Sequence, residues 1–122
     1  MTTSSVTTSS VKSEAAAWTV VVPYRDLQPE RGVAALIRSV QVALFRTFDG
    51  TLYAIGNQDP FTGAFVLSRG IVGTCGDTPT VASPLQKQVF DLRTGACLDD
   101  ETVAVPVYGV RLRDGLVEVM AG

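Results

Sequence analysis

From Trp18 onward, apolar residues come in short runs separated by turn-forming residues. Thr19-Val20-Val21-Val22 is β-branched and stops at Pro23, and Asp26 to Glu30 reads as a turn. Gly32 to Ile37, Gln41 to Phe48 and Thr51 to Ile55 follow as strand-like runs. The last two flank Asp49-Gly50, a dipeptide that takes the positive φ angles of a tight hairpin. Val81 to Ser83, Gln88 to Leu92 and Ala96 to Leu98 are shorter runs. Val103 to Val107 and Tyr108 to Leu112 read as strands, with Pro106 at an edge or bulge. Asp114-Gly115 then turns into Leu116 to Met120. No helical-period stretch of useful length interrupts the pattern, so it predicts an all-β fold, an antiparallel sandwich or barrel. Gly63 to Val81 is the exception. Its glycines and Pro79 predict a long, functional or mobile connection rather than strand.

The start of the chain is different in kind. Residues 1–13, MTTSSVTTSSVKS, are rich in Ser and Thr and hold no large side chain, which predicts a disordered tail. Glu14 to Ala17 leads either into a helical turn or into the first strand. The expected division is a tail over 1–17 and one domain over 18–122. Apolar residues make up 46% of the chain and charged residues 18%, enough for a core that buries about two-thirds of the unfolded surface. The net charge of −2, without a basic stripe, points away from nucleic acid. No apolar run approaches the roughly 20 residues that span a bilayer, and no secretory signal pattern is present, so a cytoplasmic protein off the membrane is expected.

Two loops carry the functional signal. Asp59-Pro60-Phe61-Thr62-Gly63-Ala64 resembles the Cys-Pro-His-x-Gly-Ala loop of a Rieske iron–sulfur protein, and Ser83-Pro84-Leu85-Gln86 resembles its Cys-Pro-x-His loop. The second loop runs on into Phe90-Asp91-Leu92-Arg93-Thr94-Gly95, which matches the Rieske tail. The resemblance therefore implies a Rieske-like β-sandwich with a loop-rich former cluster-binding subdomain. Its ligand positions fall on Asp59, Phe61, Ser83 and Gln86. A Rieske centre takes two Cys on one iron and two His on the other, and this chain has no His. Asp59 alone is a plausible ligand; Phe61 has no lone pair, Ser83 binds poorly unless deprotonated, and Gln86 offers a neutral amide oxygen. Cys75 and Cys97 are offset from the ligand positions and read as unrelated free thiols. Neither a cluster nor any other metal or cofactor is expected in this chain.

Other catalytic arrangements are thin. Without His, Ser83 has no triad base. Asp99-Asp100-Glu101 reads as a solvated turn, since it lacks the spaced oxygen ligands of a calcium loop. No catalytic residue is assigned.

The stretch NQDPFTGAFVLSRGI (57–71), taken with the second loop, the opening Trp18 and Gly32 to Leu36, resembles one branch of that family: the small subunit of assimilatory NAD(P)H-dependent nitrite reductase. The resemblance implies a partner, the large subunit that carries flavin (FAD), sirohaem and an iron–sulfur cluster and reduces nitrite to ammonium. The small subunit is then non-catalytic and stabilises or orients the large one. The alternative is a free-standing binding or regulatory module on a degenerate scaffold. Phe61, Arg69, Gln86 and Lys87 are the candidate docking residues, because loops on a rigid β-scaffold concentrate binding groups. A polar pair between the loops, with Asp59 and Lys87 as its candidates, is expected to replace the cluster as their cross-link. Phe61 is expected to pack beneath its loop, and Trp18 to lie in the core or at a seam.

Overall fold

The computed structural model describes residues 18–121. The tail expected over 1–17 lies outside them. Nine strands form two antiparallel sheets: β1 (Trp18–Pro23), β2 (Arg31–Ile37), β3 (Val40–Arg46), β4 (Leu52–Gly56), β5 (Ile71–Cys75), β6 (Thr78–Ala82), β7 (Val89–Asp91), β8 (Val107–Arg113) and β9 (Leu116–Met120). The larger sheet runs β1-β9-β8-β4-β3-β2 and the smaller β5-β6-β7. The all-β expectation holds; the described helical structure is two three-residue 3-10 turns, Tyr24–Asp26 and Leu67–Arg69.

The period-2 pattern of β3 and β4 explains the layering. Paired residues share a face. Val42, Leu44 and Ala54 join Val117, Val119 and Leu27 in one core, to which all six strands of the large sheet contribute. Ala43, Phe45 and Ile55 point the other way and meet Leu67, Val81, Phe90, Leu92 and Cys97 in a second core under the small sheet. Val42 to Phe45 are all fully buried because β3 is covered on both faces.

Both dipeptides lie in turns, but only Asp114-Gly115 makes the expected tight hairpin; Asp49-Gly50 sits in a five-residue connection, 47–51, between β3 and β4. Asp114 and Gly115 both take positive φ (54° and 77°), and Gly50 takes 88°. Two further expectations need correction. Gly63 to Val81 is not one long functional or mobile loop, because its second half is the β5–β6 hairpin, turning at Gly76 with φ 63°. Val103 to Pro106 is not strand. Ala104 makes a single bridge to Ala96, and β8 begins only at Val107, after Pro106. The β2–β3 turn is made by Arg38 and Ser39 at φ 50° and 70°, without a glycine to announce it.

Candidate functional site: two linked turns

The loop after β4 and the loop after β6 are the same turn built twice. In the first, Asp59 N–H donates to Ala64 O (2.8 Å) and Gly63 N–H to Asp59 O (2.8 Å). In the second, Ser83 N–H donates to Gln88 O (2.9 Å) and Lys87 N–H to Ser83 O (3.1 Å). Each leading side chain accepts from the residue two places on: Asp59 Oδ1 from Phe61 N–H (2.8 Å), Ser83 Oγ from Leu85 N–H (3.3 Å). The Phe90-Asp91-Leu92-Arg93-Thr94-Gly95 segment makes a third copy: Gly95 N–H donates to Asp91 O and Arg93 N–H to Asp91 Oδ1. The fifth residue of every copy takes positive φ: Gly63 79°, Lys87 68°, Gly95 79°. Lys87 therefore stands where its two counterparts use glycine, in a conformation that costs a side-chain-bearing residue about 1–2 kcal/mol.

The two loops that resemble Rieske ligand loops touch through their leading residues. Ser83 Oγ–H donates to Asp59 Oδ2 at 2.6 Å, and both residues are fully buried. This corrects the expected Asp59–Lys87 link: Lys87 is exposed, and its left-handed backbone belongs to the turn rather than to a cross-link. Asn57, also buried, fastens the first loop from behind. Its Oδ1 accepts from Ser68 N–H (2.8 Å), and its Nδ2 donates to Phe65 O (3.3 Å). Sequence reasoning missed Asn57 and the Ser83 partner of Asp59, since nothing local to either loop specifies the other.

The remaining sequence-selected residues are distributed around this bond. The Phe61 ring lies 6.3 Å from that of Phe90, tilted by 49°, yet the residue keeps 36% of its exposure. The expected packing beneath the loop is therefore only partial: one side of the ring meets Phe90 of the second core, and the residue is exposed. Leu85, on the second loop, is 51% exposed. Gln86 is exposed and accepts at Oε1 from Gln88 Nε2 (3.2 Å). Arg69 ends the 3-10 turn that packs on β2 and β3 and is exposed. It stands beside Gly70, where a Cβ would fall 2.4 Å from Ala82 O, so that turn is pressed against the base of the second loop. Cys75 is exposed, Cys97 buried, and both are free thiols. Trp18 departs from its expected place: it belongs to neither core and sits half-buried on the outside of the large sheet.

The donor set at the linked loops can be tested against a [2Fe–2S] centre, which wants thiolate sulfur and imidazole nitrogen. The four positions offer a carboxylate already held by a hydroxyl and an amide N–H, a phenyl ring, that hydroxyl, and a neutral amide. No group of three or more His, Cys, Asp or Glu able to hold a metal ion occurs among the described residues. This set does not fit the centre. A cleft of about 320 Å³ beside the first loop is lined by Gln41, Asn57, Pro60, Phe65 and Tyr108, groups suited to packing and hydrogen bonding rather than to nucleophilic chemistry.

The chain resembles known proteins along almost its whole described length. A family model for the Rieske-like [2Fe-2S] domain matches residues 17–120. The NADH nitrite reductase small subunit of Escherichia coli K12 is 42% identical over 103 residues, covering 84% of this chain and 95% of that protein. A crystal structure of a Mycobacterium tuberculosis protein, assigned as an NADH-dependent nitrite reductase small subunit, is 50% identical with a TM-score of 0.83, covering 86% of this chain and 95% of that one. The nitrite reductase [NAD(P)H] large subunit of Klebsiella oxytoca contains a stretch 37% identical over 102 residues; it covers 84% of this chain and 11% of that protein. The fold, the paired loops and these relatives agree: the chain belongs to the small subunits of NADH-dependent nitrite reductase, built on a Rieske-like domain.

Proposed function

We propose that this chain is a non-catalytic subunit that holds no iron–sulfur cluster and stabilises or orients the large reductase subunit through its former ligand loops. The observation that carries the proposal is the Asp59–Ser83 hydrogen bond. It joins the two loops at the positions where thiolates would bind iron, and it occupies both side chains in doing so. With the loops closed by their own residues, their outer side is free to serve as a contact surface: Phe61, Leu85, Gln86 and Lys87 are all exposed there. Lys87 favours this reading. Its left-handed backbone suits glycine, and a side-chain-bearing residue in that strained conformation at a loop tip points to use of its side chain. The Klebsiella oxytoca relative supports the choice of partner, because there a domain of this kind is part of the large subunit itself.

The same reading puts the complex in the cytoplasm, and two free thiols, which suit a reducing compartment, support it. Charge reversal at Arg69 and Lys87 together tests the docking surface. Association with the large subunit should weaken by about 2–5 kcal/mol if these charges are buried on binding. The isolated chain should keep its stability within about 1 kcal/mol, since exposed charges add little to folding. Unchanged binding in a pull-down would remove the loops from the interface, and a collapsed melt would mean that the residues hold the fold instead.

A further inference from the structure

One face of the large sheet is only half covered. On β3 and β4 the face carrying Phe45 and Ile55 is buried under the small sheet and its loops. Val107 pairs with Ile55, so the same face continues across β8, β9 and β1. There it presents Val107, Met120, Leu116 and Val20, exposed by 43%, 39%, 36% and 53%. The small subdomain stops at the Thr94-Gly95 turn, where a Cβ on Gly95 would come within 3.0 Å of Val107 Cγ2. Beyond that border Trp18 lies on the face with the Arg111 guanidinium stacked 4.1 Å from its ring centroid. Glu118 fixes Arg111 through a 2.6 Å bond to Nε.

We infer that this bare half-face, centred on Trp18, Val20 and Met120, is a second contact surface for the large reductase subunit. The inference rests on the subunit reading above and goes beyond it in naming a surface away from the loops. Its chemistry suits a protein partner. A Trp and a stacked Arg among aliphatic side chains are the residue types that anchor interfaces, and an Arg already held by Glu118 loses little side-chain freedom on binding. Topology names the occupant. Trp18 pairs with Met120, so the first and last strands of the domain begin and end side by side on this face. In the Klebsiella oxytoca protein the equivalent stretch is 11% of a large subunit. The rest of that polypeptide continues from one or both of these two points. A short connection sets neighbouring protein beside Trp18 and Met120, and this chain carries an apolar surface where that neighbour would sit.

The test compares binding of single variants to the purified large subunit, with Leu36→Glu as the control. Leu36 is 72% exposed on β2, at the opposite edge of the sheet. Val20→Glu and Met120→Glu should each weaken binding about tenfold or more, as for an interface anchor. Leu36→Glu should leave it within about twofold, and all three should melt with the unsubstituted chain, because the substituted side chains are exposed. Amides of β1 and β9 should gain exchange protection in the complex of the unsubstituted chain. Normal binding by Val20→Glu and Met120→Glu would overturn the inference while leaving the subunit reading intact. Failure of the unsubstituted chain to bind would overturn the subunit reading itself. Self-association abolished by Val20→Glu would assign the face to a second copy. Protection of β1 and β9 in the isolated chain that disappears on removing residues 1–17 would assign it to the chain's own leading segment. Either result would also overturn the inference.

Discussion

The large sheet and the paired loops are stabilised by different means. The core inside the sheet is Leu27, Val42, Leu44, Val117, Val119 and their neighbours, aliphatic side chains whose contribution scales with buried area. The loops depend on a few buried polar side chains with named partners: Asn57 on Ser68 and Phe65, Asp59 on Phe61 and Ser83, Asp91 on Arg93. An aliphatic core tolerates exchanges that keep its volume. A buried hydrogen bond tolerates no loss of a partner, because the group left behind is desolvated and unpaired. The difference teaches where the protein is specific. The scaffold requires a pattern, and the loops require particular residues.

The sharpest break in this contrast is Asp59→Ala. It leaves Phe61 N–H and Ser83 Oγ–H without their acceptor in a buried site, and the thermal midpoint should report a loss of about 2–4 kcal/mol. Asp59→Asn keeps an acceptor for Phe61 and turns its amide toward Ser83 Oγ, which can accept, so it should lose less. On the other side of the comparison, Leu44→Met keeps the volume of a fully buried position and should cost under about 1.5 kcal/mol. If Leu44→Met proved the more damaging of the two, the contrast would fail.

The smallest expected effect is in acid. Hydrogen bonds from Thr47 and Thr51 hold the Asp49 carboxyl below its usual value, and those from Thr102 do the same for Asp100. A depressed folded-state value means that this stabilisation is fully present above the unfolded value near 4 and is lost as the pH falls below it. Both carboxylates are solvent-exposed, so acid titrations of Asp49→Asn and Asp100→Asn should depart only slightly from that of the parent chain, and only below about pH 4.

Much of the fold was legible because local chemistry determined it. Asp49-Gly50 and Asp114-Gly115 announce their turns, and the apolar runs on either side of Asp49-Gly50 announce β3 and β4. The motif residues identified both loops. What stayed hidden was set at long range or against local preference. Arg38-Ser39 turns the chain in a conformation that neither residue favours. The β5–β6 hairpin reads as loop because its strands are short and broken by Gly73 and Pro79. The partner of Asp59 sits 24 positions away on another loop. Trp18 reads as core by type, but Arg111 stacked over its ring lets it lie outside.

In the proposed role, the hydrogen bond between Asp59 and Ser83 takes the place of a cluster as the tie between the two loops. The most direct test is iron and sulfide analysis, with a visible spectrum, after anaerobic reconstitution of the purified chain. The account predicts a colourless protein without bound iron or sulfide. Stoichiometric iron and acid-labile sulfide, with visible absorbance, would contradict it.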